Sequence, residues 1–209
     1  MSTELRSETG RRSLAILFFL GLALALFFPA LFFKKLIYGY DTLILGIPLH
    51  AEVMRCLAAG QWPLWMPDIL GGMPGVASCN LYFTYPTAFV GSLARLDFPL
   101  LLGLDSGLSV LAAGMGMFLL LRRLRMGFPA ALLGAFFFAV SGSELSQLYG
   151  GFLNLMEAVA WTPWVFWAAH KGIRQRSWSA WGLCGAALAL QILAGGSQLC
   201  FYTLAVLIC

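Results

Sequence analysis

The chain has 209 residues, 60% hydrophobic and only 11% charged, with a mean hydropathy of +0.84. Soluble domains carry about 25% charged residues, so the composition excludes a soluble globular protein and defines an integral membrane protein. The formal net charge of +4 is no nucleic-acid signature, because the basic residues stand in short clusters between apolar runs.

Residues 13–33, SLAILFFLGLALALFFPALFF, follow Arg6, Arg11 and Arg12. A basic start before an apolar core also describes a signal peptide. This run is long enough to span about 30 Å of hydrocarbon, and no small-x-small pair precedes Lys34-Lys35. It is therefore expected to be an uncleaved first transmembrane helix behind a cytoplasmic tail of residues 1–12. Further apolar stretches occupy 104–121, 127–142, 152–169 and 178–196, and a last one begins near 199. The clusters Arg122-Arg123-Leu124-Arg125 and Lys171-Gly-Ile-Arg174-Gln-Arg176 lie between them. Cytoplasmic loops are enriched in Lys and Arg, which places both clusters and the amino terminus inside. Residues 34–103 then form a long outer loop, or cross an even number of times. Nine of the 13 basic residues fall inside under this topology, leaving Lys34, Lys35, Arg55 and Arg95 outside. The expected fold class is an all-α polytopic membrane protein.

The outer loop carries its own elements. Pro48 to Ala59 predicts a short helix with proline in its first turn, lying in the membrane interface with Leu49, Val53, Cys56 and Leu57 on one face. His50 falls in that apolar arc and reads as a histidine at the water boundary. Tyr82-Phe83-Thr84-Tyr85-Pro86 through Leu96 predicts a second interfacial helix. Between them, GQWPLWMPDILGGMP (60–74) is rigid and unhelical: Pro63, Pro67 and Pro74 fix φ and restrict the residue before each. Non-helical backbone at membrane depth survives where it packs on protein or lines a wet cavity. A plain aromatic anchor through Trp62 and Trp65 weighs equally against a shaped groove. Five cysteines show no metal spacing, and a Cys56–Cys79 disulfide is compatible with an oxidising compartment.

Among the acids, Asp41, just beyond the first span in YGYDTLILGIP, has the position of a general base, though its chemistry alone slightly favours a solvated loop aspartate in an Asx turn. Asp68 offers a partner carboxylate or a ligand for a divalent metal. Glu52 is placed to pair with Arg55 at i,i+3, and Asp105 to cap a span that starts near 104. Glu157 lies within an apolar segment, where an acid is costly and marks a functional site by default; Asn154, one turn earlier, is its expected hydrogen-bond partner. Ala112 and Gly116 make a helix-packing face. No nucleotide, hydrolase or zinc-peptidase motif is present. The last run, 199–209, has a helical length of about 16 Å at 1.5 Å per residue, too short to cross a bilayer, so further sequence or another subunit is expected to complete it.

A first span followed by GYD, then PLHAE, G-x-W-P-L-W-x-P-x-x-x-G-G-x-P and an aromatic-Tyr-Pro segment resembles the bacterial YfhO-like membrane proteins of the class C (GT-C) glycosyltransferase superfamily. The stretches LLLRRLRMGFPAALLGAFFFAVSG and AWTPWVFWAAHKGI are similar to the spans that follow in that family, and the likeness covers most of residues 14–196. It implies a GT-C-like fold, a polyprenyl-phosphate sugar donor used on the outer face, and a catalytic aspartate in the first outer loop, the position of Asp41. Where the family usually has asparagine and then an aromatic in the P-L-W-x-P element, this chain has Met66 and Asp68, so the resemblance gives Asp68 no role. The resulting expectation is a cell-envelope glycosyltransferase, or its amino-terminal module, in the inner (plasma) membrane. Asp41 would be catalytic, with Arg55, Arg95, Trp62, Trp65, Asp68 and Glu157 binding substrate and Lys34–Lys35 as a further phosphate-binding choice. Its partners would be membrane lipid, the lipid-linked sugar and other membrane subunits, and no nucleic acid; the cofactor stays open, with a divalent metal as one option. The rival readings are a non-catalytic subunit scaffolding a larger complex and a lipid or sugar transporter with Glu157 on its path.

Overall fold

An uninterrupted apolar run winds α1, Ser2–Phe33, and a four-residue spacing decides which side of it meets protein. Ala15, Phe19, Ala23, Phe27 and then Ala30 are buried, while Leu17, Phe28 and Phe32 stay exposed, the division expected of a helix with one face on protein and one on lipid. The computed structural model describes residues 2–36, 39–76 and 82–208. It is 79% helical.

The central helix is α4, Phe98–Arg123. It starts earlier than the hydropathy of its sequence suggests, because Pro99 sits in the first turn, where the missing N–H costs nothing. Asp97, in extended backbone, is the N-cap residue, and its carboxylate forms an ion pair with Lys34 instead of bonding its own helix. Asp105 is therefore no cap: it lies two turns inside α4 and is 1% exposed. Small residues bring α1 against α4. Gly103 faces Ala30, Gly107 faces Phe27 and Ala23, and a Cβ on Gly114 would overlap the Phe19 ring. On the other side of α4, the Trp164 indole covers Gly116 and donates its N–H to the Ala112 carbonyl at 2.8 Å.

The stretch expected as a span over 127–142 holds α5 (Phe128–Ala139), and a further short helix, α6 (Gly142–Gly150), follows it. The helix restarts at Ser141 because its hydroxyl accepts the Glu144 N–H at 3.3 Å, an S-x-x-E start signal. Then α7 (Leu153–Gln175), α8 (Trp178–Leu193) and α9 (Ser197–Ile208) pack in succession. Buried Gln191 pins these three: its amide nitrogen lies 3.1 Å from the Ala158 carbonyl, 3.1 Å from the Thr162 hydroxyl and 3.0 Å from that of Thr203. In hydrocarbon such bonds hold helices that apolar contact alone would not drive together. Among the described residues, three segments are long and apolar enough to cross a membrane: Thr9–Phe33, Phe98–Arg123 and Phe128–Gly150. Helix α7 has the length, 23 residues, but its indoles, Asn154 and Glu157 lower its hydropathy, and α8 and α9 are shorter apolar helices. The chain is a helical membrane protein.

Before α4, a π-helical turn over Thr42–Gly46 leads into α2, Ile47–Ala58, and Tyr82–Thr84 into α3, Pro86–Leu93. The rigid stretch between them folds as a small hairpin in which β1 (Trp65–Met66) pairs antiparallel with β2 (Met73–Pro74). Leu70, Gly71 and Gly72 turn it with φ of 52°, 76° and 111°. Gly75 is forced to be glycine, since a Cβ there would strike the Pro63 carbonyl. Met66, fully buried, plugs the hairpin into a cluster with Leu49, Val53 and Phe83. The segment therefore packs on protein while Trp62 and Trp65 remain 59% and 58% exposed. Cys56 is buried; Cys79, its expected disulfide partner, lies outside the described residues.

The seam between α1 and α4 sets a test. Gly114→Ala must displace Phe19, an overpacking that costs about 1–3 kcal/mol. Gly182→Ala, where nothing lies within 4 Å, should gain up to about 1 kcal/mol from helix propensity. Thermal unfolding of the purified chain in detergent should order the melting temperatures G182A, wild type, G114A.

Candidate functional site

The site begins with two glycines. A Cβ on Gly39 would come within 2.8 Å of the Gly151 Cα and N, and one on Gly151 within 2.6 Å of the Thr42 N. Gly151 also has φ +89° as the left-handed C-cap of α6, a conformation that glycine adopts without penalty. The loop backbone thus crosses directly over the α6–α7 corner, burying Thr42 and fixing the residue before it, Asp41. A cavity of about 150 Å³ opens there, lined by Asp41, Thr42, Leu45, Leu49, Phe98 and Asn154 among others. That is many times the ~10–15 Å³ one water requires.

Asp41 and Asn154 are both half-buried. A carboxylate accepts a proton and an amide both donates and accepts, so the two flank a space in which a hydroxyl can be held and deprotonated. The remaining walls are mostly apolar. His50 stands behind Phe98, its ring centre 5.1 Å from that of the phenylalanine. Burial lowers its pKa, against a smaller raising effect from the Leu96 backbone, which favours the neutral imidazole.

The other expected site residues divide among separate places. Arg55 makes a bidentate pair with Glu52, Nη2 to Oε1 at 2.5 Å and Nε to Oε2 at 2.8 Å, and lies 3.8 Å from Asp68. These three bridge α2 to the hairpin and do not line the Asp41 cavity. Trp62 stacks on Phe89 at 6.0 Å, and Trp65 lies across Gly72. Arg95 is exposed at the end of α3, with φ +54°.

Glu157 is 1% exposed inside the bundle. Its expected bond to Asn154 is absent: neither Glu157 oxygen has a hydrogen-bond partner among the described residues, because Asn154 turns to the Asp41 cavity instead. Glu157 lies instead within electrostatic reach of Asp105. The two form a second polar centre between α7 and α4, near Tyr85, whose hydroxyl accepts the Trp161 indole N–H at 2.8 Å. The Thr87 hydroxyl faces Asp105, yet neither it nor the Asp105 carboxyl completes a hydrogen bond of good geometry. Among the described residues, no three His, Cys, Asp or Glu side chains gather to hold a metal ion.

Sequence reasoning passed over Thr42, Phe98 and the crossing of Gly39 with Gly151. The one signal for the crossing was the doublet Gly150-Gly151 at a helix end. No family model, curated protein or solved structure matches the chain.

Glu52 sets the pH test. Hydrogen bonding from Arg55, followed by its charge, holds the carboxyl below its ordinary value of 4.5 against the effect of burial. The unfolded chain binds this proton more readily, so the pair's stabilisation is complete above pH 4.5 and is lost as pH falls through the folded value. Melting curves from pH 7 to pH 3 should fall more steeply at the acid end for wild type than for Glu52→Gln. Parallel curves would show that the pair contributes nothing.

Proposed function

We propose that this chain is a membrane glycosyltransferase of the GT-C type, or the amino-terminal module of one, acting on a polyprenyl-phosphate sugar at the outer face of the plasma membrane. The observation that carries this reading is the half-buried Asp41 carboxylate opposite Asn154 on a cavity held by a backbone-to-backbone crossing. The YfhO-like motifs support it from the sequence. Asp41 takes the proton of an acceptor hydroxyl as that oxygen attacks the anomeric carbon. The bond from this carbon to the donor phosphate oxygen breaks, and polyprenyl phosphate leaves with the electron pair. Positioning of the reactants is what the rigid loop contributes to the barrier. Lys35 and Arg95, exposed loop cations with no ion pair among the described residues, are the choices for the donor phosphate; Lys34 and Arg55 are already held by carboxylates.

Asp41→Asn preserves shape and removes the base, so transfer should fall by about 10²–10⁴-fold. The assay is transfer from a panel of radiolabelled polyprenyl-phosphate sugars, in membranes carrying the whole protein at matched levels. Asp68→Asn should cost much less. A second reading, a transporter, draws on the buried Asp105–Glu157 pair without hydrogen bonds. It gains if Asp41→Asn is silent while Glu157→Gln abolishes activity. Silence in all three variants points to a scaffold.

The orientation has its own check. In intact cells an impermeant thiol reagent should label a cysteine placed at exposed Gln61 and spare one placed at exposed Gln175. The reverse pattern overturns the topology.

A further inference from the structure

The end of the bundle away from Asp41 holds a feature that the proposed transfer does not use. A cleft of about 1200 Å³ opens between the start of α1 and the ends of α4 and α7. Among the described residues twelve line it; six of these are Arg12, Arg122, Arg123, Arg125, Lys171 and Arg174, and none of the twelve is acidic. Orientation by positive charge requires basic residues at this end of the spans. It does not require three helices to gather them around one recess, nor to half-bury Arg122, Arg123 and Lys171.

The cations nearest the floor are held in place. Arg123 donates its Nε–H to His170 Nδ1 at 2.9 Å. That bond needs a lone pair on Nδ1, so His170 is neutral here, and it orients the guanidinium while leaving the two Nη groups for the cleft. The Lys171 ammonium sits 5.2 Å from the centre of the Trp167 ring, a cation–π contact. Trp167 and Leu119, both partly exposed, supply apolar surface beside the cations. Arg123, Arg125, Lys171 and Arg174, gathered in one recess, create a positive potential, which an anion relieves. An oriented guanidinium beside a point-charge ammonium matches a phosphate group, and the apolar surface alongside matches a hydrocarbon tail attached to it.

We infer that this cleft binds a phosphate group, carried by a membrane amphiphile whose tail lies on Trp167 and Leu119. This site is independent of the Asp41 reaction and stands whether or not that reaction occurs.

The test uses the full chain purified in a neutral detergent, with native mass spectrometry as the readout. Four probes are compared: a short-chain phosphatidic acid, phosphatidylcholine with the same chains, inorganic phosphate and ADP. The phosphatidic acid should bind at least about tenfold more tightly than phosphatidylcholine, as expected of charge-assisted bonds to an unshielded phosphate. Arg123→Lys keeps the charge that sets topology but loses the His170 bond and the planar fork, and should weaken that binding about tenfold. Arg123→Gln with Lys171→Gln should abolish the preference, and far-UV circular dichroism with size-exclusion profiles would report whether the double variant folds. Preference for phosphatidic acid alone identifies a lipid source. Equal binding of inorganic phosphate or ADP keeps the phosphate site and overturns its assignment to an amphiphile. Equal affinity for phosphatidic acid and phosphatidylcholine, or a preference unchanged in Arg123→Lys, overturns the proposal.

Discussion

The close approach of α1 to α4 is the constraint on which the rest depends. Lipid tails are as apolar as leucine, so burying side chains gives no hydrophobic drive for helices to associate in a bilayer, and packing must supply it. Gly103, Gly107 and Gly114 remove the side chains that would hold the helices apart, and the alanines and phenylalanines of α1 fill the space. With α4 fixed on one side by α1, its other side receives Trp164 of α7 through Gly116 and the Ala112 carbonyl. The corner between α6 and α7, where Gly151 meets Gly39, follows from where α7 starts.

Polar groups within this frame are of two kinds. Some make structural bonds, as when the Gln191 amide nitrogen ties α7, α8 and α9 together. Others lack hydrogen-bond partners among the described residues, notably the carboxyls of Asp105 and Glu157 and the hydroxyls of Ser106 and Ser109. A buried unsatisfied carboxyl is costly, and natural structures keep few of them. The contrast separates the two ends of the molecule from its middle: Asp41 and the basic cleft line open space, whereas Asp105 and Glu157 are enclosed by protein.

Much of the helical layout was legible because membrane spans are written in long apolar runs. What the runs did not reveal was where helices begin and bend. Pro99 started α4 before its apolar stretch, displacing Asp105 from a cap to the interior, and Ser141 started a further helix, α6, at the end of an expected span. The Glu52–Arg55 pair followed from helical spacing alone. The cavity around Asp41 did not, because Asn154 and Gly151 lie more than 100 residues along the chain from it, and single-sequence periodicity holds no information about such pairings. Asn154 was instead assigned to Glu157, its neighbour one turn on. The rigidity of residues 60–74 was readable from prolines and glycines, but the buried Met66 that plugs the hairpin into its cluster was not.

The crossing of Gly39 over Gly151 also orders events during biosynthesis. The two glycines are 112 residues apart, 39 to 151, and at ~5–20 residues per second the ribosome needs roughly 6–22 s to make the second after the first. Throughout that interval the Asp41 loop has no corner to rest on, and Thr42, buried in the finished protein, is uncovered. The cavity closes only when α6 and α7 have both been made and packed. Assembly of the Asp41 site therefore reports that the later helices are in place, and a nascent chain arrested before Gly151 has its aspartate and no pocket around it.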